Sequence, residues 1–167
     1  MKLDEHRRDQ KIEATIALMV TSDSRTIETD ETGKTAVRLL EAAGHRVSTH
    51  VIIPNETGRI HEAYMEFLGD PEIQVIITSG GTGISSRDKT VGAVSATFEK
   101  PIPGFGEVFR RLSFDEIGHA AMFSRATAGT VQGKLVFCLP GSRGAMAIAL
   151  EKIILPSLGH MLWELSR

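Results

Sequence analysis

The chain has 167 residues, of which 41% are hydrophobic and 24% are charged, and its formal net charge at pH 7 is −2. These values are typical of one globular domain. A net charge this close to zero does not indicate the strongly basic surface with which proteins bind nucleic acids or anionic membranes. Aromatic residues make up 5% of the chain, which is too few to predict a base-stacking platform. We therefore expect neither a nucleic-acid partner nor a membrane partner.

The N-terminal residues are charged rather than apolar. Residues 1–12 contain both acidic and basic side chains around one leucine, which predicts a solvated arm rather than a signal peptide. Residues 13–167 are then expected to form one domain, without an apolar run of transmembrane length. The single cysteine, Cys138, cannot form an internal disulfide and lies in a buried-strand pattern, so we expect a core thiol. The predicted location is the cytoplasm.

Strands and helices alternate along the chain. The predicted elements are a strand over 14–20, a helix over 33–43, a strand over 46–53, a helix over 60–69, a strand over 73–78, a helix over 91–98, a helix over 105–112, a hairpin or edge strand within 118–132, a strand over 135–139 and a helix from 144 that Pro156 interrupts. This alternation predicts an α/β sandwich with a mostly parallel sheet.

Four polar loops follow predicted strands, at residues 21–25, 55–56, 80–88 and 140–143. In open parallel sheets, ligands bind outside the carboxyl ends of the strands. We therefore expect the four loops to converge on one rim of the sheet.

The most informative segment joins a strand to a glycine turn and then to a carboxylate. Gly80, Gly81 and Gly83 follow the apolar run 73–78, and Asp88 comes just before a helical pattern. Glycine lets the backbone approach a ligand, and unpaired N–H groups beside a helix N-terminus bind anions. A carboxylate at Asp88 would hold a divalent cation beside a phosphate. The order of these parts predicts a site for a phosphorylated ligand.

Each of these motifs also has a purely structural interpretation. Glycine pairs often serve tight turns, and Asp88 is well placed to cap the next helix. Ser22 and Asp23 are common turn residues. Ser142 is a candidate helix cap, although the same helix N-terminus with Arg143 is equally suited to a second phosphate. The residues alone leave these alternatives open.

Other ligand motifs are disfavoured. Gly33-Lys34-Thr35 lacks the glycine that a P-loop requires five positions before its second glycine, where Glu28 stands. No Gly-x-Gly-x-x-Gly follows the first predicted strand, which argues against a dinucleotide-binding fold. The six histidines have no metal-ligand spacing.

Four groups of residues in register resemble the molybdenum cofactor biosynthesis family of MoaB and MogA, with a closer similarity to the B branch. They are Thr78-Ser-Gly-Gly-Thr-Gly83 with Arg87-Asp-Lys-Thr90, Pro103-Gly-Phe-Gly-Glu-Val-Phe-Arg-Arg-Leu-Ser113, Ser124-Arg-Ala-Thr-Ala-Gly129 and Leu139-Pro-Gly-Ser142. The resemblance implies the three-layer α/β/α sandwich of molybdopterin-binding domains. It also implies a homo-oligomer, either a trimer or a hexamer built from trimers.

The activity implied by the resemblance is the adenylylation of molybdopterin by ATP with Mg²⁺. The products would be adenylyl-molybdopterin and pyrophosphate, followed by hand-off to a molybdate insertase. By matching position, Asp88 would be the catalytic carboxylate that orients Mg²⁺. The residues that would bind substrate and phosphate are Ser22, Asp23, Ser79, Gly80, Gly81, Thr82, Gly83, Gly141 and Ser142.

One position departs from the family's pattern. Many active relatives carry Pro-Asp after the second strand, whereas this chain has Pro54-Asn55-Glu56. Asn55 can ligate a metal through its side-chain carbonyl, but it brings no negative charge. The alternative function is therefore a non-catalytic molybdopterin carrier or scaffold. A more remote one is a nucleotide pyrophosphatase like the N-terminal domain of the CinA family, which typically has Gly-Gly-Leu-Gly-Pro-Thr where this chain has Gly-Gly-Thr-Gly-Ile-Ser.

Overall fold

The computed structural model describes residues 12–167. The predicted arm, residues 1–12, lies outside the described residues except for its last position. The strands are β1 (Thr15–Thr21), β2 (Arg46–Ile53), β3 (Val75–Ser79), β4 (Lys100–Pro101), β5 (Thr127–Val131) and β6 (Lys134–Leu139). The helices are α1 (Glu31–Ala42), α2 (Thr57–Gly69), α3 (Thr90–Ser95), α4 (Pro103–Ile117), a 3₁₀ segment (Gly118–Phe123) and α5 (Arg143–Leu165).

The strands form one mixed sheet in the order β2-β1-β3-β6-β5-β4. β2, β1, β3 and β6 are parallel, while β5 pairs antiparallel with β6 and β4 antiparallel with β5. The mostly parallel sheet is therefore confirmed. The segment predicted as a hairpin or edge strand supplies β5, and the two-residue β4 is the edge at that end.

Helices cover both faces of the sheet, which gives the three layers. Ile16, Leu18 and Val20 of β1 pack with residues of α1, α4 and α5, whereas Ala17 and Met19 pack with residues of α2 and α3. Successive residues of a strand point to opposite faces, so an apolar run such as 16–20 requires a helical layer on each side. The predicted α/β/α sandwich is confirmed.

The C-terminal helix continues past Pro156. Residues Ile148–Ile154 are π-helical, and α-helix resumes at Leu155 with Pro156 in its first turn. Proline lacks the N–H that a regular α-helix interior uses, but the π-helical turns before it have already replaced the regular hydrogen-bond pattern. The predicted interruption is therefore wrong.

The uninterrupted helix Arg143–Leu165 has 23 residues and a mean hydropathy of 1.4 in its most apolar stretch, enough by length and composition to cross a membrane. The expectation that no segment reaches this length is therefore wrong as well. Met146, Ile154 and Leu158 of this helix are nevertheless fully buried in the core. A core helix meets the same length and composition criterion, so the finding carries no argument for a membrane span.

Cys138 is the penultimate residue of β6 and is fully buried. Burial raises the pKa of its thiol to about 12. Because the reactive form of cysteine is the thiolate, this residue is an inert part of the core, as predicted.

The order of the strands also indicates where a ligand crevice lies. β1 lies between β2 and β3, and the chain leaves β1 to build the sheet first on one side and then on the other. At such a reversal the loops after adjacent strands separate and leave room for a ligand. The carboxyl ends of β1 and β3, at Thr21 and Ser79, border this crevice.

Candidate functional site

The four polar loops do meet at the carboxyl ends of the parallel strands. The Ser22 N–H donates to the Ile53 carbonyl at 2.9 Å, which joins the loops after β1 and β2. The Gly80 N–H donates to the Leu139 carbonyl at 2.9 Å, which joins the loops after β3 and β6. The predicted convergence on one rim is confirmed.

The glycine turn after β3 requires glycine for two separate reasons. Gly80 and Gly81 have φ angles of +96° and +70°, which side chains with a Cβ rarely adopt. A Cβ on Gly80 would also lie 2.6 Å from the Thr21 carbonyl oxygen, and one on Gly81 would lie 2.2 Å from Thr90 Oγ1. Thr21 Oγ1 and Thr90 Oγ1 are 3.0 Å apart. These two threonines therefore contact each other and lie directly against the glycine turn.

The other predicted phosphate-binding residues around this turn differ in accessibility. Ser79 is fully buried, and its hydroxyl donates to the Pro140 carbonyl at 3.4 Å. Thr82 is also buried, whereas Gly83 is partly exposed. A Cβ on Gly141 would lie 3.4 Å from the Gly80 Cα, so the turns after β3 and β6 are in contact.

Asp88 closes the loop that follows the glycine turn. Its Oδ2 accepts a hydrogen bond from the Ser85 N–H at 2.9 Å. The N-cap of α3 is Lys89, with no side-chain capping bond, so the interpretation of Asp88 as a helix cap is wrong. Burial acts to raise the pKa of Asp88, but hydrogen bonds from Ser85 and Gly83 and the charge of Arg125 outweigh it and hold the pKa below its usual value. The carboxylate is therefore charged at neutral pH.

Arg125 fixes the glycine turn and was missed by sequence reasoning. Its backbone N–H donates to the Thr82 carbonyl at 2.7 Å. Its side chain donates from Nε to the Gly83 carbonyl at 2.7 Å and from Nη2 to the Asp88 carbonyl at 2.9 Å. One guanidinium thus connects the start of the loop to its end. Its sequence signal was its position in Ser124-Arg-Ala-Thr-Ala-Gly129, one of the four segments that resemble the family.

Asp23 and Asn55 form a pair across the loops after β1 and β2. Asp23 Oδ1 accepts from the Asn55 backbone N–H at 2.8 Å, and Oδ2 accepts from the Asn55 side-chain amide at 3.3 Å. These hydrogen bonds lower the pKa of Asp23, and the nearby charges of Arg87 and Lys89 lower it further. Arg87 and Lys89 flank Asp88 in the chain, so the basic side chains of the Asp88 loop act on the pKa of Asp23.

Ser142 is the N-cap of α5, where its hydroxyl accepts a hydrogen bond from the Ala145 N–H at 3.2 Å. The structural interpretation of this residue is therefore confirmed. Ser22 has a comparable part in its own loop, since its Oγ accepts from the Arg25 N–H at 3.1 Å. A phosphate contact by either residue stays a prediction.

Asp30 is a fully buried carboxylate that contacts the loops at the carboxyl edge of the sheet. It was not identified from the sequence. It caps α1 by accepting from the Gly33 N–H at 3.0 Å, and its other oxygen lies 3.0 Å from His50 Nε2. Arg25 Nη1 lies 3.7 Å from Asp30 Oδ1 and donates to the Gly141 carbonyl at 3.1 Å. The buried carboxylate is thereby connected to the turn after β6. The helix begins two residues before the predicted start because Asp30, not Gly33, opens it.

Replacing Asp30 with alanine should lower the free energy of unfolding by about 2–4 kcal/mol, because the change removes a helix cap and leaves His50 and Arg25 without their buried acceptor. Urea denaturation measures this loss. Asp115→Ala is the matched control, since Asp115 pairs with Arg111 at the surface, where its side chain is 59% exposed, and such pairs add little stability. Equal losses in the two variants would contradict the structural role of Asp30.

The described residues contain no cluster of three or more histidine, cysteine, aspartate or glutamate side chains suited to a metal ion. Mg²⁺ has a different requirement, because it is commonly held by one or two carboxylates together with substrate phosphates.

Comparison with known proteins agrees with this geometry. The family model described as "Probable molybdopterin binding domain" matches residues 17–160. Molybdenum cofactor biosynthesis protein B of Bacillus cereus is 43% identical over 168 aligned positions, covering 100% of this chain and 99% of the relative. A crystal structure of molybdenum cofactor biosynthesis protein B superposes with a TM-score of 0.90 at 44% identity, covering 94% of this chain and 98% of that one.

A more distant solved structure, the tungsten cofactor synthesizing protein MoaB from Pyrococcus furiosus, superposes with a TM-score of 0.83 at 32% identity, covering 93% of this chain and 98% of that one. The similarity thus extends over nearly the whole chain, in sequence and in fold. The chain belongs to the molybdopterin-binding family of molybdenum cofactor biosynthesis proteins, in the branch of protein B.

Proposed function

We propose that this protein acts in molybdenum cofactor biosynthesis as a molybdopterin adenylyltransferase. A phosphate oxygen of molybdopterin attacks the α-phosphorus of ATP, and a new phosphorus–oxygen bond forms. The bond from the α-phosphorus to the oxygen that bridges to the β-phosphorus breaks, and pyrophosphate leaves with its electron pair. The observation that carries the proposal is the glycine turn of β3, whose loop ends at the charged carboxylate Asp88 and which packs against Thr21, two residues before the second charged carboxylate, Asp23.

Such a transfer depends mainly on positioning and on neutralising charge, with little covalent work for side chains. The backbone of the turn supplies donors for the phosphates. The Gly80 N–H is paired with Leu139, whereas the N–H groups of Gly81 and Thr82 have no acceptor among residues 12–167. These two groups are the ones we assign to phosphate.

Asp88 and Asp23 are the residues that would hold Mg²⁺, which would neutralise charge on the phosphates when bound. A carboxylate beside a phosphate is repelled unless a cation lies between them. Asp23 is therefore better suited to the metal than to the phosphate contact that the family resemblance implied. Asn55 then acts by orienting Asp23 through its two hydrogen bonds. In this proposal the negative charge absent at position 55 comes from Asp23.

The competing function, a molybdopterin carrier, is favoured by Asn55, because that loop lacks its own carboxylate. Two measurements on the purified protein separate the functions. If the protein is an enzyme, calorimetry with ATP alone and with molybdopterin alone should show that it binds each ligand. Pyrophosphate should then be released only when both ligands and Mg²⁺ are present. A carrier would bind molybdopterin without releasing pyrophosphate, and hydrolysis of ADP-ribose to AMP and ribose 5-phosphate would instead indicate a nucleotide pyrophosphatase.

We also propose that the protein is a homo-oligomer. α4 and the 3₁₀ segment expose large apolar side chains, each between 47% and 69% accessible: Val108, Phe114, Ile117, Met122 and Phe123. An apolar surface of this kind commonly marks a protein–protein contact. Sedimentation equilibrium distinguishes a trimer from a hexamer.

A further inference from the structure

Two side chains hold the carbonyl of Gly141, in the turn that follows β6. Arg25 Nη1 donates to it at 3.1 Å from the loop after β1, and Thr32 Oγ1 donates to it at 2.9 Å from the first turn of α1. These donors are 116 and 109 positions away from Gly141 in the chain. The turn after β6 is therefore anchored to the loop after β1 and to α1, and not only to its own strand.

The planarity of the peptide bond gives this carbonyl its importance. The C=O of Gly141 and the N–H of Ser142 belong to one trans peptide unit and point in opposite directions. Holding the carbonyl therefore also fixes the direction of the Ser142 N–H, which has no acceptor in the part of the chain that the structure describes. A Cβ on Gly141 would lie 3.4 Å from the Gly80 Cα. The same anchor thus sets how the turn after β6 lies against the glycine turn of β3.

The guanidinium of Arg25 is itself held by a buried charge. Its Nη1 lies 3.7 Å from Oδ1 of Asp30, which is fully buried, whereas the Arg25 side chain is 37% exposed. Asp30 is fixed in turn by the Gly33 N–H and by His50 Nε2, each at 3.0 Å. A Cβ on Gly33 would collide with both Asp30 and His50, so the carboxylate is tightly packed. A fixed carboxylate orients the long arginine side chain, which then loses less conformational entropy in holding the carbonyl.

We propose that Arg25 is a positioning residue for adenylyl transfer, an inference that rests on the proposed function. It acts through the Gly141 carbonyl, which it holds so that the turns after β3 and β6 keep one fixed arrangement around the two ligands. Transfer between two bound ligands is sensitive to their placement, because a displacement of about 1 Å can slow a reaction about 100-fold. One ligand bound alone tolerates the same displacement better, because it can adjust its own position.

Arg25→Gln removes the charge and weakens the hold on Gly141. The kcat for pyrophosphate release should fall about 10- to 100-fold. Calorimetry on the full-length protein should show affinities for Mg-ATP alone and for molybdopterin alone within about threefold of the native values, with the native number of ligands per chain. Arg25→Lys should recover much of the kcat, because one nitrogen makes both contacts and an ammonium can replace it. Thr32→Val removes the other donor and should show the same kinetic pattern.

Arg46→Gln is the matched control. Arg46 begins β2, at the opposite edge of the sheet, and its side chain is 56% exposed. This variant loses the same charge and should keep the native kcat. A native kcat in Arg25→Gln would overturn the inference. Fewer binding sites per chain with an unchanged kcat per site would also overturn it, since Arg25 would then be needed only for folding.

Hydrogen exchange separates this inference from the proposed activity. The N–H groups of Ala145 and Met146 donate to Ser142 in the first turn of α5. A loosened turn should let them exchange about 3- to 10-fold faster in Arg25→Gln, but not in Arg46→Gln. Faster exchange in a protein that forms no adenylyl-molybdopterin would uphold the anchoring by Arg25 and refute the transfer. Unchanged exchange and an unchanged kcat in a protein that forms this product would refute the role of Arg25 and leave the transfer standing.

Discussion

Replacing Asp88 with asparagine should slow adenylyl transfer about 100- to 1,000-fold, the usual effect of removing one charge-stabilising group from an active site. Asparagine has nearly the same shape and keeps an oxygen that can accept from the Ser85 N–H, a bond that measures 2.9 Å in the native protein. The melting temperature should therefore stay within about 5 °C of the native value. Pyrophosphate release and differential scanning calorimetry measure the two quantities.

Asp88→Ala separates the charge of this residue from its hydrogen bond. It should lose activity as Asp88→Asn does, and it should also loosen the loop because the bond to Ser85 is gone. Asp115→Asn changes an exposed carboxylate on α4 and should leave the activity intact. Full activity in Asp88→Asn would show that Asp88 does not hold the metal. Unfolding of that variant would show that Asp88 has mainly a structural function.

Replacing Gly81 with alanine should have the largest effect on the fold of the site. A Cβ at this position would lie 2.2 Å from Thr90 Oγ1 and 3.0 Å from the Thr90 backbone nitrogen, so the turn or α3 must move. The φ angle of +70° adds backbone strain. Together these effects should lower the free energy of unfolding by about 2–4 kcal/mol and the melting temperature by about 5–15 °C.

Gly44→Ala is the control that isolates backbone strain from steric conflict. Gly44 has a φ angle of +88°, and a Cβ there would meet nothing within 4 Å. This variant should lose only about 1 kcal/mol and keep its adenylyltransferase activity. If Gly81→Ala is no less stable than Gly44→Ala and remains active, then the contact with Thr90 does not determine the geometry of the turn.

The strands of the sheet could be predicted closely from the sequence because burial on both faces leaves a strong signal. The apolar run in β3 and the run in β6 are covered by helices on both sides, and their predicted bounds differ from the observed ones by at most two residues. The convergence of the polar loops could be predicted from the same pattern, since parallel strands bring their carboxyl ends to one edge of the sheet. Asp88 and the glycine turn could be predicted because their residues are adjacent in the chain.

The supporting contacts were missed because they join distant parts of the chain. Asp30 and His50 are 20 residues apart, Arg25 and Gly141 are 116 apart, and Arg125 lies 42 residues from Gly83. Nothing local marks such pairs. Asp30 had a local signal, because an aspartate just before a helical pattern is a common N-cap.

Pro156 was misinterpreted for a different reason. Proline usually ends an α-helix because its ring clashes with the preceding turn and it cannot donate a hydrogen bond. The π-helical segment Ile148–Ile154 precedes it here, and this local change in hydrogen bonding has no reliable signature in the residues. The length of α5 therefore could not be read from the sequence.

The most direct test of the adenylyltransferase proposal is the mass of the pterin product. Purified protein is incubated with molybdopterin and Mg-ATP, and the pterin is released and analysed by mass spectrometry. We expect adenylyl-molybdopterin, formed with one pyrophosphate per molecule and absent when EDTA removes Mg²⁺. Recovery of unmodified molybdopterin from a protein that binds both ligands would contradict the proposal and identify the protein as a carrier.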